Sequence, residues 1–243
     1  MKDLILLHGA LGHTQHFDPC MSWLQQHFKV HTFLFAGHGG TALPGNDLKI
    51  DDYVRQLEQY CAQQQLQQFD VFGYSMGGYV ALCYALRHPG TIGSLLTLAT
   101  KLSWTVEGAA KETQMLQPDK IAEKIPKYAA QLATLHGEQE WRMLLPAIAG
   151  MMNDLGAHPL LDAAGYANIS ARIQLMVGDK DNMVSLDETL AAARLIPGAR
   201  LAVLPETRHP LEQVRPELLM SLMKDFWNHS IQRAPRLISR GAL

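Results

Sequence analysis

Short apolar runs alternate with stretches of helical spacing along most of this chain. The runs Asp3–Leu7, Val30–Phe35, Phe69–Phe72, Ser94–Leu98, Ile173–Val177 and Arg200–Leu204 read as strands. Between and after them, Pro19–His27, Ile50–Gln65, Met76–His88, Ser185–Leu195 and Pro210–His229 read as helices. In the second helix Tyr53, Leu57 and Tyr60 recur at helical spacing, and the glutamines around Gln63 to Gln68 read as its solvated end. Alternating strand and helix predicts an α/β fold: a doubly wound, mostly parallel sheet of about six strands with helices on both faces.

One connection breaks the rhythm. About 70 residues, roughly 100–172, separate the fourth and fifth strand candidates, where a few residues would suffice. Prolines and glycines divide this segment into helix-like pieces, Pro118–Lys124, Pro126–Leu135, Gln139–Met152 and Pro159–Tyr166. It predicts an insertion within a single domain spanning 1–243. Its apolar residues, among them Trp104, Met115, Leu132, Trp141, Met143, Leu144 and Met151, read chiefly as packing between helices. Lys101, Lys111, Lys127 and Arg142 read as exposed surface.

The strongest chemical signal is Gly73-Tyr74-Ser75-Met76-Gly77-Gly78, placed between a predicted strand and a predicted helix. A serine on so tight a turn presents its hydroxyl above the sheet, at the positive end of the next helix. Gly73 and Gly77 leave room for the turn to close against neighbouring backbone. A neutral serine is a poor nucleophile, so it requires a base within hydrogen-bond reach and a third group to orient that base. His209, on the loop after the last strand, supplies the imidazole. Asp179 and Asp181, after the strand ending near Gly178, are both available as the acid.

These motifs resemble those of the α/β-hydrolase superfamily, and within it the compact single-domain hydrolases with a helical cap. The resemblance extends to Leu4–Leu7 followed by His8-Gly9-Ala10, and to Phe35-Ala36-Gly37-His38-Gly39-Gly40-Thr41, which is similar to a D-x-P-G-x-G-x-S loop. There the usual aspartate is replaced by Phe35 or a neighbour and the proline by Ala36, changes that bear on loop support. The resemblance implies Ser75 as nucleophile, His209 as base and Asp181, three residues after the strand-end glycine, as the preferred acid. It implies an oxyanion hole from the backbone N–H groups of Ala10 and Met76. The insertion becomes a cap that selects substrate. The chain starts at what corresponds to the third strand of larger relatives.

Composition narrows the function classes. With 47% hydrophobic residues in 243, one sizeable core can form. Lys and Arg number 21 against 23 Asp and Glu, a net charge of −2 without long single-sign runs, so neither nucleic acid nor a membrane surface is an expected partner. Three widely spaced cysteines, Cys20, Cys61 and Cys83, form no disulfide or metal pattern. With no leader-like start and no run of the roughly 18 apolar residues a membrane span requires, a cytoplasmic location is expected. No H-E-x-x-H or similar spacing appears, and the chemistry calls for no cofactor or metal. His8 reads as structural; His13, His16 and His38 read as candidates for the pocket mouth. The last residues, Arg233 to Leu243, read as a basic tail.

The expected activity is hydrolysis of a small to medium acyl ester or thioester, through a Ser-His-Asp triad and an acyl-enzyme. The alternatives are a triad-bearing lyase or carbon–carbon bond hydrolase acting on an enolisable acid, and a ligand-binding sensor with slow or no turnover. The few arginines between Thr100 and Arg172 count against an acidic substrate. A small-molecule acyl substrate is the expected partner, and nothing in the sequence distinguishes a monomer from a dimer.

Overall fold

The computed structural model describes residues 1–45 and 47–232; the basic tail lies outside them. Six strands form one sheet: β1 Lys2–Leu7, β2 Phe28–Thr32, β3 Phe69–Tyr74, β4 Ile92–Leu98, β5 Arg172–Gly178 and β6 Arg200–Leu204. Their order is β2-β1-β3-β4-β5-β6, and every pairing is parallel. The chain therefore moves outward from β1 to β2, then returns to build β3 to β6 on the other side of β1. That reversal puts a topological switch point between β1 and β3, where the loops leaving the carboxyl ends of the two strands diverge and open a crevice.

The described residues contain ten helices: α1 Asp18–His27, α2 Ile50–Gln63, α3 Met76–Arg87, α4 Val106–Thr113, α5 Pro118–Lys124, α6 Pro126–His136, α7 Glu140–Ala157, α8 Ala163–Ala167, α9 Leu186–Leu195 and α10 Pro216–Gln232. Side chains alternate across the sheet with the two-residue period of a strand. Ile5, Leu7, Val71, Leu95, Ile173 and Leu175 join a core with α2, α3 and α7. Leu4, Leu6, Phe72, Leu96, Leu98 and Met176 join another with Leu24 of α1 and Met223, Phe226 and Trp227 of α10. Every residue from Met76 to Ala85 is buried, so α3 is apolar all round, as a helix enclosed between a sheet and other helices must be.

Several element boundaries differ from the sequence expectation, each for a physical reason. Strand β2 begins at Phe28, directly after α1, because Phe28 buries its ring against Trp227 with centroids 5.1 Å apart. It ends at Thr32, and Phe35 leaves the sheet to donate its N–H to His8 Nε2 at 3.1 Å. The final helix does not start at Pro210. A short 3-10 turn at Leu211–Gln213 comes first, and α10 opens at Pro216, because a residue before proline is disfavoured in helical backbone. Helix α2 stops early where Gln65 adopts φ 55°. Helix α4 had no counterpart in the hydrophobic pattern; Thr105 caps it by accepting from Gly108 N.

The segment between β4 and β5 contains α4 to α8. Trp141, Leu144, Leu145, Ile148, Met151 and Met152 of α7 are buried, whereas Met115 and Met143 are exposed. Lys101, expected on the surface, is instead half-buried in an ion pair with Glu112 at 2.7 Å. All three cysteines are buried and free. Burial pushes the Cys20 and Cys61 thiols up to about 11 and Cys83 to about 12, so they stay protonated and unreactive at neutral pH. Among the described residues no helix is long and apolar enough to cross a membrane.

Candidate active site

Strand β3 runs straight into α3 through a single residue, Ser75, held at φ 50° and ψ −118°. A side chain in that conformation is strained, and strain of this kind costs about 1–3 kcal/mol and persists only where the surroundings enforce it. Here they do. Ser75 N–H donates to Leu98 O at 2.8 Å, and Ser75 O accepts from Gly78 N, Tyr79 N and the Thr100 hydroxyl. A Cβ at Gly77 would collide with Leu7 O, and one at Gly73 would lie 2.5 Å from Gly78 Cα. Gly77 thus lets the elbow close against the end of β1, while Gly73 and Gly78, the latter not singled out by the motif alone, let β3, α3 and Thr100 approach one another.

The serine hydroxyl lies 3.3 Å from His209 Nε2. His209 Nδ1 is 2.9 Å from Asp181 Oδ2 and 3.1 Å from Oδ1, so the ring donates there and keeps a lone pair toward Ser75. Residues 75, 181 and 209 follow β3, β5 and β6, and the sheet brings them together at its carboxyl edge. The Asp181 side chain is fully buried and that of His209 is 11% exposed. Burial pushes the Asp181 carboxyl up, but the His209 hydrogen bond and charge, with the N–H groups of Val184 and Met183, outweigh it and hold the group below its ordinary value. Asp181 is therefore ionised at neutral pH. Asp179 has a different position: its Oδ1 accepts from Thr207 N at 3.2 Å and braces the loop after β6.

Two backbone donors complete the neighbourhood. Met76 is the first residue of α3, so its N–H has no partner within the helix. Ala10 lies in the turn after β1, which is closed by Gly12 N donating to Gly9 O at 3.0 Å. A Cβ built on Gly9 would stand 3.1 Å from Ser75 Cβ, which measures how closely that turn approaches the elbow. Among the described residues neither the Ala10 N–H nor the Met76 N–H has a hydrogen-bond acceptor. They sit on either side of the switch-point crevice.

Sequence reading missed several supports. Tyr74, a variable position of the serine motif, donates its hydroxyl to His209 O at 2.7 Å and ties the imidazole loop to β3. His16 Nε2 meets Glu212 Oε1 at 3.0 Å, joining the turn after Gly12 to the turn after His209. His38 does not line a pocket mouth; it is fully buried, as is His8. Where Phe35 and Ala36 depart from the loop motif, other groups hold the backbone: Gln56 Oε1 accepts from Ala36 N and the Tyr53 hydroxyl donates to Ala36 O. None of these partners has a local signature, because each is distant in sequence. Among the described residues no cluster of three or more His, Cys, Asp or Glu could hold a metal ion.

Known proteins resemble this chain in both sequence and shape. Monoacylglycerol lipase ABHD6 of Bos taurus is 22% identical over 250 residues, which cover 92% of this chain and 74% of that protein. A pimeloyl-(acyl-carrier protein) methyl ester esterase of Nitrosomonas europaea is 31% identical over 98 residues, 40% of this chain and 37% of that one. The crystal structure of NosK from Streptomyces actuosus superposes with a TM-score of 0.80 at 22% identity, covering 95% of this chain and 99% of that one. These sequence relatives are lipases and esterases, and the superposition shows a common fold. Residues 3–147, more than half of the chain, match the family described as the alpha/beta hydrolase fold, and the protein belongs to it.

Proposed function

We propose that this protein is a serine hydrolase that cleaves small to medium acyl esters or thioesters through an acyl-enzyme. The observation that carries the reading is the continuous hydrogen-bonded line from Ser75 Oγ through His209 to a buried Asp181, with two unengaged backbone N–H groups beside it. Membership of the hydrolase family, with lipases and esterases among its relatives, supports it.

Ser75 Oγ attacks the acyl carbonyl as His209 Nε2 takes its proton. Asp181 fixes the tautomer that leaves Nε2 free and stabilises the imidazolium. The carbonyl oxygen becomes an oxyanion that accepts from Ala10 and Met76 N–H, each such donor lowering the barrier by about 3 kcal/mol. His209 then returns its proton to the leaving alcohol or thiol. In the second half-reaction it deprotonates water, which attacks the acyl carbon, and the Ser75 oxygen is expelled with its proton restored.

The helices between β4 and β5 act, in this reading, as a cap within a single domain. Two features support it: Leu144, Ile148 and Met151 of α7 share a core with Met76 and Tyr79, and Tyr79, one turn after Ser75, accepts from Leu160 and Leu161 N–H through its hydroxyl. An apolar cap favours an acyl chain of limited length.

A fluorophosphonate probe is expected to label the wild type and leave Ser75→Ala unlabelled. Hydrolysis of p-nitrophenyl esters is expected to peak at short to medium chains; a steady rise beyond about ten carbons would contradict a closed apolar pocket. Labelling without turnover of any ester would remove the hydrolase reading in favour of a lyase or a sensor.

A further inference from the structure

The turn that carries Ala10 N–H is held by buried histidines from three separate parts of the chain. Leu11, its third residue, has φ 57°, a left-handed conformation in which a leucine is sterically disfavoured. Both of its backbone polar groups are taken by imidazoles. Leu11 N–H donates to His38 Nε2 at 3.1 Å, and Leu11 O accepts from His136 Nε2 at 3.0 Å. His38 comes from the loop after β2. His136 is the last residue of α6, in the segment between β4 and β5, and is itself fully buried.

The backbone partners determine each tautomer, because an amide N–H only donates and a carbonyl only accepts. His136 Nδ1 accepts from Gly39 N at 3.0 Å, so its proton is on Nε2 and points at Leu11 O. His38 Nδ1 donates to Ala36 O at 3.2 Å, leaving Nε2 to accept from Leu11. His8 completes the set, with Nδ1 donating to Gly9 O at 2.8 Å and Nε2 accepting from Phe35 N. The rings stand together, His8 to His38 at 4.8 Å and His38 to His136 at 5.6 Å. Tyr53 of α2 faces His38 at 6.0 Å, and His13 and His16 of the neighbouring turn act on His8 and His136 as further titratable groups. Burial lowers the proton affinity of all three rings and keeps them neutral.

We infer that His136 is a positioning residue for the reaction proposed above: by holding Leu11 O it aims the Ala10 N–H at the oxyanion, so seating α6 and assembling the oxyanion hole are one event. The inference rests on the serine-hydrolase reading and on Ala10 as a donor. It predicts that the link acts on the transition state, where the oxyanion exists, and hardly on substrate binding.

The test is p-nitrophenyl ester kinetics with three substitutions, beside wild type and Ser75→Ala. His136→Phe keeps the ring shape and loses both hydrogen bonds. His136→Gln places an amide N–H near the Nε2 position and can still donate to Leu11 O, whereas His136→Asn reaches only the Gly39 side. His136→Phe is expected to lower kcat about 10²-fold with KM changed less than about threefold, the scale of losing one oxyanion donor. His136→Gln should recover at least about tenfold of that loss and His136→Asn little of it. A merely structural histidine would lower thermal stability in all three with no split between kcat and KM and no advantage for Gln. If Ser75→Ala is inactive while His136→Phe and His136→Asn keep wild-type kcat, the inference fails and the hydrolase reading stands. If Ser75→Ala turns over like wild type, the hydrolase reading fails first. Should His136→Phe not fold, equal kcat in the Gln and Asn variants overturns the inference.

Discussion

Both ends of the central strands carry a carboxyl group, a ring and a serine in a hydrogen-bonded line, and at only one of them does the ring offer the serine an acceptor nitrogen. At the amino ends of β3 and β4, Trp227 Nε1 donates to Ser94 Oγ at 3.0 Å, and Ser94 donates to Asp70 Oδ1 at 2.7 Å. A cleft of about 270 Å³, lined by Lys2, Asp70, Ser94 and Arg172 among others, opens there. At the carboxyl ends the line is Asp181, His209, Ser75. The difference is the ring. Indole N–H donates only, so the ring at that end offers Ser94 no base, and the acceptor Ser94 meets is the Asp70 carboxyl group, which also faces Lys2 Nζ at 3.9 Å. Imidazole donates at one nitrogen and accepts at the other, so the Ser75 proton faces a base. The same three kinds of group, in a different order, leave Ser94 bonded to a carboxyl group and Ser75 beside an imidazole with an acceptor nitrogen.

The largest expected effect tests that distinction directly. Asp181→Asn retains the shape but withdraws the carboxylate that fixes the His209 tautomer, so kcat on an ester substrate should fall about 10⁴-fold. Asp179→Asn, which touches only Thr207 N–H, should cost less than about tenfold. A larger loss at 179 than at 181 would exchange their roles.

Protonation should separate the two ends next. Burial takes His8 from 6.5 down to about 3, so the folded protein keeps this ring neutral while the unfolded chain binds a proton below about pH 6.5. The stabilisation is complete above pH 6.5 and is lost as pH falls toward 3. The slope is about 1.4 kcal/mol per pH unit, or about 2 kcal/mol between pH 6.5 and 5 from this residue alone. Denaturant unfolding at the two pH values measures it. Equal stabilities would show that His8 is not held neutral.

The smallest effect belongs to the amino end. Ser94→Ala strips the buried Trp227 N–H of its acceptor and should lower stability by about 1–3 kcal/mol while leaving kcat unchanged. For a chain of this size that is a fall in melting temperature of about 2–4 °C per kcal/mol. A drop in kcat without a change in melting temperature would mean that the two ends communicate.

Much of this is legible in the sequence. Ser75, the proposed nucleophile, sits in a local motif, strand, glycine-flanked serine, helix, whose steric requirements are written within six residues. His209 and Asp181 were accessible because each follows an apolar run at the edge where parallel strands deliver their loops. Long, strongly apolar segments such as β1 and α3 kept their expected limits to within a residue or two. The boundary at Pro216 was missed because helical spacing continues across it, although the proline itself was the available signal. Helix α4 depends on a single capping threonine and on contacts with α7.

What the chain determines by itself is short-range: which stretches extend, which coil, and where a turn is tight enough to hold a serine out of helical backbone. Sterics and hydrophobic period act over a few residues and leave a readable pattern. What only tertiary structure decided is pairing at a distance, such as the Tyr74 hydroxyl on His209 O, Asp179 turned to a loop amide while Asp181 meets the imidazole, and His136 reaching Leu11 across 125 positions of sequence. Those choices depend on which carbonyl or amide stands opposite a buried side chain once the core has closed. A buried polar group must find a partner wherever the fold brings one within about 3 Å.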